Sequence, residues 1–356
     1  MLEAAGYGAL YKTKTREAVS ATGKVDGCAL FYRKSRVRLH SNAVLELNEA
    51  ALIEHSENVL KLDAQLNARP PAISPAEYET RRAMLDSALK RLTRDNVAQF
   101  AVFHITHSPA LVPLEKEQPL LVVNTPLFWD PQFADVKLWQ AAKLLREIES
   151  AARDAGGNGG AQGSSALPLL LCGDLNSEPS SAVYKLLAGN AAASSGRRFE
   201  LLASDLPPDP AGVLASLAGR ARLSQSLLLQ SLHAGVTSAE PLFTNLTRDY
   251  VGTLDYVWGD AHVRPLSAVE IPTAESLTGG TRHKGVRKAG LGGASFGGGA
   301  FSAESPAAST GRAGGFGVGG GGGGAHDEAD GSDGLPNGQW PSDHIPLVFE
   351  VLLQGR

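Results

Sequence analysis

Apolar runs closed by short polar residues alternate along this chain with apolar positions at helical spacing. The runs predict strands near Val25–Tyr32, Val37–His40, Asn96–Phe103 and Leu120–Asn124. Between the second and third, Ser74-Pro75-Ala76-Glu77 reads as a helix start: Ser74 caps, Pro75 suits the first helical position, and Glu77 can close a capping box. Met84, Leu85, Ala88, Leu89 and Leu92 then give that helix an apolar stripe. A second helix is predicted from near Asp135, with Leu138, Ala141, Leu145 and Ile148 on one face as core packing.

The run Leu169-Leu170-Leu171-Cys172 ends in Gly173-Asp174-Leu175-Asn176, which predicts a buried strand delivering Asp174 and Asn176 to a sheet edge. Residues two apart point the same way from an extended backbone, so a carboxylate and an amide converge on one spot. That pair suits magnesium-assisted attack on a phosphate, with Asp174 for the metal or the attacking water and Asn176 for a phosphate oxygen. An Asx turn that merely closes the strand is the competing reading of an isolated pair. Two further segments shift the balance. Asp255 interrupts the apolar strand Gly252–Trp258, where a carboxylate is costly to bury unless paired. Asp343-His344 stands at the mouth of another apolar strand, Ile345–Val348. Three Asp-bearing strand ends, with Asn176 and His344, predict one concave, electronegative site.

Composition narrows the class. The chain has 356 residues, 43% hydrophobic, and a formal charge of -4, which allows a sizeable core and argues against a strongly basic nucleic-acid coat. Basic residues do cluster between Lys12 and Arg38, readable as a phosphate-facing rim or as a solvated edge. Cys28 and Cys172 sit inside apolar patterns and read as buried small hydrophobes rather than a disulfide. No apolar stretch reaches the roughly 20 residues of a membrane span, and no signal peptide is evident, so a soluble, reduced compartment and no membrane partner are expected. Asp154 to Ser165 reads as a Gly-rich linker, and Leu201 to Leu232 as a loop-and-helix insertion. Gly279 to Gly338 is dense in Gly, Ala and Ser, and is expected to be disordered.

Taken together, several segments resemble the endonuclease/exonuclease/phosphatase superfamily, and within it the carbon-catabolite-repressor type of poly(A) deadenylase. They are Lys24–Tyr32, Asp95–Ala98, Asn124–Gln140, Cys172–Tyr184, Phe243–Trp258 and Pro341–Pro346. The resemblance implies an α/β four-layer sandwich, two packed β-sheets flanked by helices in the DNase I-like manner, lacking the first strands. One domain is expected over residues 1–278 and resumes at 339–356 for its final strand, interrupted by the Gly-rich segment. The implied reaction is Mg2+-dependent 3′–5′ exoribonucleolysis, releasing 5′-AMP from poly(A) tails. Asp174 would activate the water, Asn176 would hold the phosphate, and His344 would contact the scissile phosphate, oriented by Asp255. Asp174 and Asp343 would lie at the metal. Pro131 and Tyr250 match the positions that sandwich the adenine. The implied partners are poly(A) RNA, not DNA, and a deadenylase complex, in the cytoplasm or nucleus.

Two departures bear on activity. The family's Leu-Gln-Glu-Val-like strand, whose Glu holds magnesium, does not occur here, and Glu3, in a segment resembling the helix that follows it, is no substitute. The family's Asn-Thr-His-Leu is Asn124-Thr125-Pro126-Leu127, and proline offers no side-chain donor. A non-catalytic homologue that binds RNA or a deadenylase complex is the first alternative. A phosphodiesterase acting on 2′,5′-oligoadenylate or dinucleotide phosphates is the second.

Overall fold

The strand Val97–His107 sorts its side chains by alternation. Ala98, Phe100 and Val102 enter a core shared with the helices. On the opposite face Phe103 meets Tyr32 at 5.0 Å between ring centroids. A sheet is thereby backed by helices on one side and covered by a β-ribbon on the other, in a mixed α/β structure as expected. This computed structural model describes residues 1–14, 26–155, 167–189, 199–215, 224–225, 227–278 and 334–354.

The ribbon is β1 (Tyr7–Thr13) paired antiparallel with β2 (Gly27–Arg33). The central six-stranded sheet runs in the order β3 (Val37–Glu46), β4 (Val97–His107), β5 (Pro113–Asn124), β6 (Leu169–Asp174), β12 (Asp255–Gly259), β9 (Gln230–Ser231). Its β5–β6 pair is parallel, and its other pairs are antiparallel. Short ribbons complete the described strands: β7 (Phe199–Glu200) with β8 (Ser224–Gln225), β10 (Asn245–Leu246) with β11 (Val251–Gly252), and β13 (Val263–Ala268) with β14 (Phe349–Leu353). Among the described residues the α-helices are α1 (Leu47–Leu66), α2 (Pro75–Leu92), α3 (Ala134–Ala155), α4 (Ala182–Ala188), α5 (Leu232–Thr237) and α6 (Ala274–Leu277).

The start of α2 is as its sequence predicts: Pro75 opens the helix and the Ser74 hydroxyl accepts from Glu77 N at 3.2 Å. Its stripe is narrower than predicted, because Ala88 and Leu92 are buried while Met84 is exposed. On α3 the four predicted core positions, Leu138, Ala141, Leu145 and Ile148, are all buried. Burying such a face at roughly 25 cal/mol per Å2 of apolar surface makes α3 the main anchor of the helical layer.

Of the basic cluster near the N-terminus, Arg16 and Lys24 lie outside the described residues, and three of the others form ion pairs. Lys12 pairs with Glu46 at 2.6 Å, Lys14 with Asp26 at 2.7 Å, and Arg38 with Glu117. These pairs fasten β1 to β3, tie the two strands of the ribbon together, and link β3 to β5. Cys28 and Cys172 are free thiols, both pushed up by burial, to about 11 and about 12.

A second, smaller core gathers Phe243, Leu246, Leu277, Leu335 and Ile345. It corrects one boundary: the expected disorder does not extend through Leu335, which is buried there. Residues 279–333 and most of the 154–165 linker lie outside the described residues. Within the 201–232 insertion, Leu201, Val213, Leu214 and Leu229 pack onto the main core.

Candidate active site

Strands β6 and β12 pair so that Asp174 lies directly opposite Asp255. Two carboxylates placed side by side repel each other, so the surroundings must hold them there. Asp174 is held by its own turn: Oδ1 accepts from Asn176 N at 2.9 Å and Oδ2 from Asn176 Nδ2 at 3.0 Å. Asn176 adopts φ +47°, a left-handed conformation that asparagine tolerates better than most residues. The Asx turn and the convergent pair weighed from sequence are thus one structure. Asn176 Nδ2 also donates to Leu127 O at 3.0 Å, so both hydrogens of its amide are engaged within the protein.

Asp255 Oδ2 accepts from His344 Nδ1 at 2.8 Å and from Thr244 Oγ1 at 2.8 Å. The Thr244 hydroxyl in turn accepts from Leu254 N and Asp255 N, both at 2.9 Å, which fixes the turn entering β12. His344 is brought in by a bridge to Asn245, flanked by Leu246 N donating to Asp343 O and Ile345 N donating to Thr244 O. The small core beneath this segment, with Leu246 and Ile345 buried, keeps it seated.

The electrostatics follow from this crowding. The Asp255 hydrogen bond raises His344 to about 9, overcoming the burial that would lower it. Burial, and then the Asp255 charge, pushes Asp174 up to about 6, against the lowering effect of the Asn176 amide. One ligand atom from each of Asp174, Asp255 and His344 lies within 4.8 Å of the others. The two carboxylates, at a point where negative charge is disfavoured, fit a divalent cation with water completing its shell, and the His344 imidazolium stands beside it.

Asp343 is in the same cavity but outside that triplet, its Oδ2 accepting from Asn245 Nδ2 at 3.2 Å. Glu3 is exposed in an N-terminal turn. Pro126 is flanked by Thr125 N and Leu127 N, which donate to Cys172 O and Asp174 O at 3.1 and 2.9 Å. Its own carbonyl accepts from Asn96 Nδ2 at 3.1 Å.

The cavity has a volume of about 590 Å3, and Pro131 and Tyr250 both line it along with Asn176, Asp343 and His344. The Tyr250 hydroxyl donates to Glu178 Oε1 at 3.0 Å, orienting the ring. Pro131 opens a short 3-10 turn that Asp130 caps through Gln132 N at 2.8 Å. Sequence reasoning missed Thr244, Asn245 and Lys137. Thr244 and Asn245 lie in the quoted Phe243–Trp258 segment, but nothing local marks which of its polar residues turn inward. Lys137 carried a signal, a cation among the apolar positions of α3.

The endonuclease/exonuclease/phosphatase family profile matches residues 2–344, and the chain belongs to that family. It is 32% identical to Carbon catabolite repressor protein 4 homolog 1 of Arabidopsis thaliana, over 78% of this chain and 42% of that protein. It is 29% identical to the CCR4-Not complex 3′-5′-exoribonuclease subunit Ccr4 of Yarrowia lipolytica, over 71% of this chain and 32% of that protein. The chain thus spans less than half the length of these two relatives. Among solved structures, the human Nocturnin catalytic domain with bound sulfate anion superposes with a TM-score of 0.45 at 20% identity, covering 76% of this chain and 67% of that one.

Proposed function

We propose that the protein hydrolyses phosphodiester bonds at the 3′ end of adenylate-tailed RNA with a divalent metal, Mg2+ by preference. The observation that carries this reading is the convergence of Asp174, Asp255 and His344 within 4.8 Å beside an aromatic-lined cavity. When bound, the cation supplies charge stabilisation for the phosphate and a water of lowered pKa. Asp174, poised near neutrality, orients and deprotonates the attacking water. His344, kept protonated by Asp255, faces charge developing on the phosphate. The water oxygen bonds to phosphorus and its proton passes to Asp174, the bond to the preceding nucleotide's 3′ oxygen breaks, that oxygen takes a proton from solvent, and 5′-AMP leaves. Asn176, whose amide hydrogens serve Asp174 and Leu127, shapes the turn beneath the phosphate, Asn245 faces the phosphate, and Pro131 with Tyr250 sandwiches the terminal base, a contact worth about 1–3 kcal/mol. The names of relatives, subunits of CCR4-Not complexes, support a role in such a complex, and we propose that it acts on mRNA tails in the cytoplasm or nucleus.

One observation favours a second reading, a module that binds RNA without cleaving it. Pro126 offers no side-chain donor at a position beside the site strand. Both readings meet in one experiment with 5′-labelled RNA carrying a 3′ oligoadenylate tail. The first reading predicts Mg2+-dependent shortening that Asp174→Ala abolishes and Pro126→His raises by roughly 10²–10³. Tight binding of the RNA with no shortening by the chain or the Pro126→His variant would establish the second.

A further inference from the structure

The side chain of Lys137 is an anomaly of the cavity. It stands on the first turns of α3, is 5% exposed, and lines the cavity. Burying an ammonium ordinarily requires a carboxylate partner. Here its hydrogen-bond partners are backbone carbonyls: Nζ donates to Asn176 O at 2.7 Å, and Trp129 O lies at 3.5 Å. Desolvation lowers its pKa, while the charges of Asp174 and Asp130 oppose that.

Those two carbonyls belong to two different segments that line the same cavity. Asn176 is in the turn that holds Asp174, and Trp129 begins the loop that continues into Pro131. Two hydrogen bonds already tie the turn to Leu127 at the root of the loop, Asn176 Nδ2 to Leu127 O at 3.0 Å and Leu127 N to Asp174 O at 2.9 Å, and further contacts brace each part by itself. Gln140 Oε1 accepts from Phe128 N at 2.9 Å, Arg91 donates to Gln132 O at 2.7 Å, and the Asx turn braces Asp174. Lys137 is the side chain that extends this link past Leu127, its ammonium lying between Asn176 O and Trp129 O.

We propose that Lys137 is a positioning residue that sets the separation between the base-stacking loop and the Asp174–Asn176 turn. It thereby makes the site select nucleotides over sugar phosphates that lack a base. The inference rests on the proposed function, since it takes Pro131 and Tyr250 as the base platform and Asp174 as part of the phosphate site. It assigns the Lys137 ammonium to the protein frame and not to the substrate phosphate. A neutral side chain that can still donate to a carbonyl therefore preserves the effect, and an apolar one of similar length removes it.

The test compares binding of 5′-AMP and ribose 5-phosphate, which share sugar and phosphate, to the full chain with Mg2+ by calorimetry. The unmodified chain should prefer 5′-AMP by about 5- to 100-fold, the range that stacking of one base supplies. Lys137→Met should reduce that preference to less than about threefold through loss of 5′-AMP affinity. Lys137→Gln should keep both affinities within about threefold of the unmodified chain. Equal weakening of both ligands in either variant would make Lys137 a phosphate-contacting cation and overturn the proposal. An unchanged preference in Lys137→Met would overturn it too. If Lys137→Met shows no cooperative melting transition, the two affinities of Lys137→Gln decide by the same criterion. No preference in the unmodified chain would instead refute the base platform, and the inference would fall with it.

Discussion

His344 and Asp255, 89 positions apart in the chain, are joined by a hydrogen bond of 2.8 Å between Nδ1 and Oδ2. The bond makes the imidazole a lasting cation at neutral pH, because Asp255 raises its pKa to about 9. In chelator-treated protein, NMR titration of the ring should therefore place His344 near that value, and Asp255→Asn should return it towards the ordinary 6.5. Linkage gives the sign. Stabilisation from this pair is complete below about pH 6.5 and is lost as pH rises through about 9. Urea midpoints of the Asp255→Asn variant should lack that decline. A ring titrating near 6.5 in the unmodified chain would refute the pairing.

Asp174 is displaced in the direction that costs stability. Its folded-state pKa of about 6 lies above the ordinary carboxylate value, so ionising it disfavours the fold as pH rises between about 4 and 6. Asp174→Asn removes a penalty of about 3 kcal/mol at one unit per 1.36 kcal/mol. It also loses the acceptor for Asn176 Nδ2, a bond worth about 1 kcal/mol. The variant should melt higher than the unmodified chain in chelator at pH 7, while Mg2+ or Mn2+ should no longer raise its Tm. Lower stability in chelator, or an undiminished metal response, would show that Asp174 is neither strained nor a ligand.

Gly173 permits the approach of Thr125 that aligns β5 with the site strand. Its φ is +154°, and a Cβ there would lie 1.8 Å from Thr125 O, a backbone atom with little room to yield. Gly173→Ala should cost at least about 3 kcal/mol, or prevent folding, as measured by chemical denaturation. A loss below 1 kcal/mol would mean that the strand end can shift freely, and that Asp174 is not rigidly placed.

Leu335 tests how the last segment is seated. It is buried with Leu246 and Ile345 under the residue pair that delivers His344. Leu335→Ala should destabilise by about 2–5 kcal/mol in urea, with the His344 ring titration shifting as its segment loosens. An indifferent midpoint would return this residue to the surrounding Gly-rich segment.

The positions of the acids and of His344 were legible because each stands beside an apolar run, although Asp255 begins its strand rather than interrupting it, and the strand expected over Ile345–Val348 begins only at Phe349. The α3 face was legible from its apolar positions at helical spacing. Helix α1 was not, because its pattern runs contrary to expectation. Asn48 and Glu54 are buried, engaged with the Arg94–Asp95 backbone and with Lys143, while Leu52, Ile53 and Leu60 face outward. Met84 failed as a stripe member because the apolar arc of α2 that meets the core is shorter than the sequence pattern. Thr244, Asn245 and Lys137 act through partners remote in sequence, among them Asp343, 98 positions from Asn245, and no local pattern encodes such contacts.

The central claim, that Asp174 and Asp255 hold a divalent metal beside His344 for phosphodiester chemistry, is tested most directly by anomalous diffraction from crystals soaked in Mn2+. The account predicts one strong peak in the cavity, about 2.0–2.6 Å from a carboxylate oxygen of Asp174 or Asp255, absent from crystals of Asp174→Asn. No peak at saturating Mn2+, or a peak that persists unchanged in Asp174→Asn, would contradict it.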